Sequence, residues 1–123
     1  KIAALNPGRY KIEIAPGGNI LPVMQLYKDY PGMEGAIYYY WGFPKNAMNQ
    51  WLVAEHQKRF NTPPDFFTAG GFAAASAVLA AVKAAKSTDT EKLIAAMEGL
   101  SFETPKGVMT FRKEDHQAVQ EMY

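Results

Sequence analysis

The residue types that most often carry hydrolysis or metal chemistry are present in this chain, but at spacings that serve neither. His56 falls inside a helical stretch and His116 sits sixty residues later in Glu114-Asp115-His116-Gln117, and neither has a second ligand at i+4. Zinc and iron sites ordinarily show at least one paired spacing of that kind. The two histidines therefore read as a surface helix residue and a loop residue bonded to backbone. Ser76, Ser87 and Ser101 lack the G-x-S-x-G context that exposes a nucleophile on a strained turn, and no Lys or His is placed near them by sequence. Glu34, Asp65 and Asp115 could pair in space, as carboxylates in any globular chain can. With no cysteine present, disulfide frameworks, thiol catalysis and Cys-ligated metals drop out together. No catalytic residue, metal or cofactor is expected.

Two other stretches suit binding. Gly70-Gly71 is read as the mouth of an Ala-rich helix, where glycine lets a ligand approach the backbone and unpaired amides face an anionic group. The same pair would equally permit close packing of helix on sheet, and the residues alone leave both open. No G-x-x-x-x-G-K-[ST] is present, so the pair is not a phosphate loop of that type. Tyr38-Tyr39-Tyr40-Trp41 offers aromatic surface, yet alternate residues of a strand face opposite ways, so at most two could line one pocket. Tyr39 is assigned to the core.

Charge is nearly balanced, with 13 Lys plus Arg against 12 Asp plus Glu in 123 residues. Such a chain raises no field able to gather nucleic acid or an anionic membrane, and a nucleic-acid partner is set aside. The length suffices for one ordinary domain. No stretch is read as reaching the ~20 apolar residues of a membrane helix, because the longest run, Phe72 to Val82, is dominated by Ala and broken by Ser76. The chain reads as soluble. It opens at Lys1 without a basic and then apolar leader, so an export signal is expected to have been removed or to lie upstream.

The elements that must position these residues alternate between strand and helix. Ile2 to Leu5 and Tyr10 to Ile14 are predicted as short strands separated by Asn6-Pro7-Gly8 and closed by Pro16-Gly17-Gly18. Asn19 then caps a helix through about Tyr30, with Pro22 tolerated in its first turn and Pro31-Gly32 ending it. Gly35 to Tyr40 is too apolar on both faces for a surface strand and is predicted to be central in a sheet. After Gly42-Phe43-Pro44, residues 46 to 60 form a helix with Met48, Trp51, Leu52 and Phe60 near one face and Glu55 placed to meet Arg59. Asn61 to Asp65 is a loop, and the Ala-rich helix runs from Gly70 or Gly71 to Lys86 with Lys83 in its last turn. Thr88-Asp89-Thr90-Glu91 has capping-box spacing and starts a short helix with Leu93, Ile94 and Met97, ending near Gly99. Thr104-Pro105-Lys106-Gly107 is a turn leading into a strand from Val108 to Phe111. The pattern is α/β, but its four or five short strands do not close a sheet and would leave edges exposed.

Three stretches, taken in order, carry a resemblance. They are Tyr30-Pro31-Gly32-Met33-Glu34-Gly35 before the aromatic run, Pro64-Asp65-Phe66-Phe67-Thr68-Ala69-Gly70-Gly71-Phe72 opening the Ala-rich helix, and Thr104-Pro105-Lys106-Gly107 followed by Phe111-Arg112 and Asp115-His116-Gln117. Together they resemble the C-terminal part of ABC-importer solute-binding proteins of the branched-chain amino-acid (Leu/Ile/Val) type, over essentially the whole chain. The resemblance implies a periplasmic-binding-protein-like type I fold with two lobes, of which only the C-terminal portion is present, about three times this length when whole. Residues 1–41 would end the second lobe, 42–44 would be a hinge crossing, 45–104 a segment of the first lobe, and 105–123 return strands crossing toward the second lobe.

The same resemblance implies a site and partners. Phe67 falls where such proteins set a side chain against the ligand, with Ala69, Gly70 and Gly71 leaving room beside it and Tyr40 nearby. Asn6 and Pro7 fall where amino-acid binders often carry an acidic residue for the ligand's ammonium group; this chain departs there, which brings aromatic and other carboxylic acids into range. The implied protein is periplasmic, captures an amino acid or related organic acid by hinge closure, and docks on the membrane permease of an ABC importer. A ligand-sensing regulator or receptor domain of the same fold is the alternative. The N-terminal remainder of the same protein would supply most of the cleft.

Overall fold

The computed structural model describes residues 2–15, 20–28 and 35–123. Backbone contacts gather into two units, Lys1–Ile37 and Tyr38–Tyr123.

In the first unit, α1 (Ile2–Leu5) is followed by a 3₁₀ turn over Pro7–Tyr10 and by α2 (Leu21–Leu26). Neither predicted strand forms. Ile2 to Leu5 is one helical turn, and Asn6-Pro7-Gly8 does more than punctuate. Asn6 sits in the left-handed region at φ 44°, Pro7 presets the first position of the 3₁₀ turn, and Lys11 is again left-handed at φ 56°. The amides of Arg9, Lys11 and Ile12 bond back to Asn6, Gly8 and Pro7, which uses the groups a strand partner would need. The helix predicted from Asn19 to Tyr30 is realised as Leu21–Leu26, with Pro22 in its first turn and no side-chain cap at Ile20. Asn19, the Pro16-Gly17-Gly18 turn, Tyr30, Pro31-Gly32 and Glu34 lie outside the described residues.

The second unit is built on α3 (Ala47–Phe60), α4 (Phe66–Ala85), α5 (Thr90–Met97) and a small antiparallel sheet. Residues 35 to 40 form no strand, against the sequence expectation, although the expected burial holds at Tyr39, which is 1 % exposed. Its hydroxyl donates to Asn49 Oδ1 at 2.7 Å, and burial first, then the nearby Asp65 charge, pushes the phenol's pKa up. α3 starts where predicted, with Asn46 Oδ1 accepting from the Asn49 amide at 2.7 Å. Of the residues placed on its apolar face, Leu52 is buried, whereas Trp51 and Phe60 are exposed. Glu55 pairs with Arg59 at 2.9 Å as the i+4 spacing requires.

α4 begins four residues before the expected start. Pro64 blocks helix before it, and Asp65 caps it by accepting from the Thr68 amide at 3.1 Å. Gly70-Gly71 therefore lie in the second turn, where their amides are bonded within the helix, and do not offer a helix mouth. At twenty residues, with mean hydropathy 1.5 over its most apolar stretch, α4 is long and apolar enough to cross a membrane by length and composition, which corrects the sequence reading. Ala69, Ala73, Ala77 and Ala81, one turn apart, are all buried. The first of these packs with Tyr39 and Leu52, and Ala73 and Ala77 pack with Phe102 and Met109. Gly71, Ala74, Ala75, Val78 and Leu79 make a second apolar stripe on the exposed side.

α5 is capped by Asp89, not by Thr88, its carboxylate accepting from the Lys92 amide at 3.1 Å. A carboxylate is the stronger cap, and the shift of one residue leaves no reciprocal Glu at the third position. The sheet runs β1 (Ser101–Thr104), β2 (Gly107–Phe111) and β3 (Ala118–Val119) in that order, with Phe102 opposite Met109. Thr104-Pro105-Lys106-Gly107 makes the predicted turn. Gly107 takes φ +109°, and the Thr104 hydroxyl donates to its carbonyl at 2.7 Å.

Candidate functional site

The start of α4 gathers the side chains best suited to meet a ligand. The Asp65 cap fixes the direction of the first turn, and the next two residues are Phe66 and Phe67. Phe66 turns inward and meets Tyr38 edge to face at 5.0 Å, and Phe67 stacks on Phe66 at 4.4 Å while remaining 65 % exposed. An aromatic ring held on one side and open on the other is a ready contact surface. Beside it, Ala69 is buried, Gly71 faces open space, and a methyl group on Gly70 would stand 3.3 Å from the Tyr38 hydroxyl.

Tyr38 is fixed from three sides. Its hydroxyl donates to the Phe66 carbonyl at 3.2 Å, its ring meets Phe66, and the ammonium of Lys106 lies 4.5 Å from the ring centre. Burial, and after it the Asp65 charge, raises the Tyr38 pKa, so the phenol stays a donor at neutral pH. Lys106 is only 5 % exposed, and its Nζ donates to Gln120 Oε1 at 2.5 Å. Its pKa is lowered by burial.

The expected site residues are thus distributed unevenly. Phe67, Ala69, Gly70 and Gly71 share one end of α4. Tyr40 belongs to a neighbouring aromatic ladder, stacking on Phe43 at 5.0 Å, which in turn meets Tyr123 at 5.3 Å. Asn6 and Pro7 lie in the first unit, Asn6 just before the 3₁₀ turn described above and Pro7 as its first residue. His56 bonds the Thr62 carbonyl at 2.7 Å, and His116 faces Glu98 at 3.4 Å; among the described residues no three His, Asp or Glu come together. A separate apolar groove of about 140 Å³ lies between α5 and the sheet, lined by Ile94, Met97, Glu98, Phe111 and His116. It shares no residue with the α4 cluster, and Glu98 and His116, which face each other, are its polar groups.

Tyr38, Phe66, Lys106 and Gln120 were not singled out from the sequence. Thr-Pro-Lys-Gly reads as an ordinary surface turn, and nothing local marks its lysine as buried. For Phe66, the cap signal of Pro64-Asp65 was available and points to the correct helix start.

The model of the periplasmic binding protein family matches residues 4–123. Among solved structures, an ABC-type branched-chain amino acid transporter protein from Rhodopseudomonas palustris CGA009 is 69 % identical over 100 % of this chain, with a TM-score of 0.88. An ABC transporter protein from Rhodopseudomonas palustris is 63 % identical over 99 % of the chain, with a TM-score of 0.67. A solute-binding protein of an ABC transporter from Rhodopseudomonas palustris BisB5, solved with 3,4-dihydroxybenzoic acid, is 35 % identical over 72 %, with a TM-score of 0.65. The chain spans 33 %, 36 % and 24 % of those three proteins respectively. No curated protein matches it. The chain is a C-terminal portion of the two-lobed type I fold. The chain belongs to the periplasmic binding protein family.

Proposed function

We propose that this chain is part of the extracytoplasmic, periplasmic solute-binding component of an ABC importer, and that the whole protein captures an amino acid or a small carboxylic acid, aromatic acids included. The observation that carries the reading is Phe67, an exposed ring seated on Phe66 at the capped end of α4, beside the small residues Ala69, Gly70 and Gly71. A flat apolar ligand can lie against such a ring at little cost in side-chain entropy. Relatives support the class of ligand: the protein that is 69 % identical is a branched-chain amino acid transporter component, and the one 35 % identical was solved with a dihydroxybenzoic acid.

In this reading residues 1–41 end the second lobe, 42–44 form a hinge crossing, 45–104 belong to the first lobe and 105–123 cross back. The stacking of Phe43 on Tyr123 supports it, because it brings the proposed crossing and the returning tail together. Ligand bridges both lobes, binds the closed state better and shifts the population toward it; the closed form docks on the permease. Tyr40 is assigned to the cleft as well.

Calorimetry on the full-length protein with 3,4-dihydroxybenzoate, benzoate and leucine tests the ligand class. Binding of at least one, with compaction in small-angle scattering on its addition, is expected. Absence of both for all three would overturn the reading.

A further inference from the structure

Lys106 has a property the ligand reading does not use. It is a buried cation, and among the described residues no carboxylate pairs with it: its ammonium meets only the Gln120 side-chain oxygen at 2.5 Å and the face of Tyr38 at 4.5 Å. Burying an ammonium without an anion is costly, and packing alone would be served as well by methionine. What the charge adds here is directional. A cation over a ring fixes the plane of that ring, and a charge-assisted hydrogen bond fixes the distance to the amide. The ring so fixed is Tyr38, whose hydroxyl in turn holds the Phe66 carbonyl in the first turn of α4 and lies within 3.3 Å of where a Gly70 side chain would begin. The backbone of Lys106 is itself anchored, its amide donating to the buried Thr104 hydroxyl at 3.1 Å.

We propose that Lys106 is a positioning residue for the ligand-facing end of α4, acting through Tyr38 on Phe66 and thereby on the placement of Phe67. It draws three segments to one point: the aromatic run at Tyr38, the hairpin turn at Lys106, and the chain after β3 at Gln120. The inference rests on the proposed ligand site for its functional consequence, but its structural core does not.

The test therefore has two arms in the full-length protein. In the first, amide hydrogen exchange is compared for wild type, Lys106→Met and Lys106→Arg. Methionine keeps the packing and loses the charge; arginine keeps the cation over the ring. Exchange at the α4 amides of Phe67 to Gly70 is expected to speed up about tenfold in the methionine variant and to return toward wild type in the arginine variant. Unchanged exchange there, or a uniform increase across the whole protein in both variants, overturns the proposal. In the second arm, calorimetry with 3,4-dihydroxybenzoate is expected to give about tenfold weaker binding for Lys106→Met, with recovery in Lys106→Arg. Wild-type binding with equal affinity in the methionine variant overturns the role in ligand placement and leaves the ligand reading standing. If wild type binds none of the named acids, the ligand reading fails and the exchange arm alone decides.

Discussion

The Tyr39 hydroxyl donates to Asn49 Oδ1 at 2.7 Å in the interior of the second unit, and the same Asn49 amide gives both its hydrogens to backbone carbonyls, Trp41 at 2.9 Å and Pro44 at 3.0 Å. One side chain on α3 thus holds the entire irregular stretch from Tyr39 to Pro44. No ladder supports that stretch, so the amide takes the place of sheet pairing. Asn49→Ala would strand a buried hydroxyl and two carbonyls, and is expected to lower the stability of the full-length protein by about 2–4 kcal/mol. Asn49→Asp keeps the acceptor but loses both donors, and should also destabilise. Urea denaturation reads both; a loss under about 1 kcal/mol in each would show that the stretch is held by other contacts.

Phe67→Ala should separate binding from folding. The ring is 65 % exposed, so its removal is expected to change stability by less than about 1 kcal/mol while weakening ligand affinity about tenfold or more. Calorimetry beside thermal melts of the full-length protein checks it. Unchanged affinity would make Phe67 a packing residue only.

The two glycines of α4 are expected to respond differently. Alanine gains up to about 1 kcal/mol over glycine within a helix. A methyl on Gly71 meets nothing within 4 Å, whereas one on Gly70 meets the Tyr38 hydroxyl at 3.3 Å. Gly71→Ala should therefore raise Tm more than Gly70→Ala, and only Gly70→Ala should disturb the Tyr38 contact with Phe66. Equal shifts in Tm would mean that Tyr38 gives way freely.

Acid sensitivity has a sign. The Asp115 carboxyl is held below the usual aspartate value of 3.8, first by the Gln117 amide and then by Arg112, and Glu98 is lowered from 4.5 first by Lys113 and then by His116. A carboxyl with a lowered folded pKa contributes stability that is complete above its unfolded pKa and is lost as pH falls through the folded one. Tm should drop between about pH 5 and pH 3, less steeply in Asp115→Asn, and high salt should blunt the difference because Asp115 is exposed and Glu98 partly so. Parallel profiles would show that Asp115 contributes nothing to it.

The outward stripe of α4 carries a prediction about the rest of the protein. Leu79 is 70 % exposed here, in line with Gly71, Ala74, Ala75 and Val78. A chain that spans a third of its relatives' length leaves ample polypeptide to cover that face. Leu79→Cys in the full-length protein should react with maleimide at least about a hundredfold more slowly than Lys58→Cys, as expected for a site opened only by unfolding. Comparable rates would mean that the stripe faces water.

What the sequence disclosed followed from how local each signal was. α3 was legible because its Asn46 cap, its Glu55–Arg59 pair and its stop at Asn61 all lie within the helix or next to it. The turn at Thr104 to Gly107 was legible for the same reason. Ile2 to Leu5 and Tyr10 to Ile14 were misread because a short apolar or alternating run names a strand only if a partner exists, and local bonds captured those backbones first. β1 was missed because three of the four residues of Ser101-Phe102-Glu103-Thr104 are polar and the strand owes its pairing to β2. At the site, Phe67 and the glycines stood out by type. Lys106 and Tyr38 did not, because their roles arise from a contact across sixty-eight residues that no local pattern encodes.

Nine of the twenty residues of α4 are alanine, and its one charge is Lys83 near the end. For a protein exported as proposed, that composition bears on passage through the translocation channel. A segment of this length rich in leucine or valine would gain about 0.3–0.6 kcal/mol per residue by leaving the channel sideways into lipid. Small side chains let α4 stay apolar enough to be wrapped inside a folded lobe, yet deny it much of that lateral pull. Each alanine exchanged for leucine would push the nascent chain toward arrest in the bilayer, so the choice of side chain here answers to delivery as well as to packing.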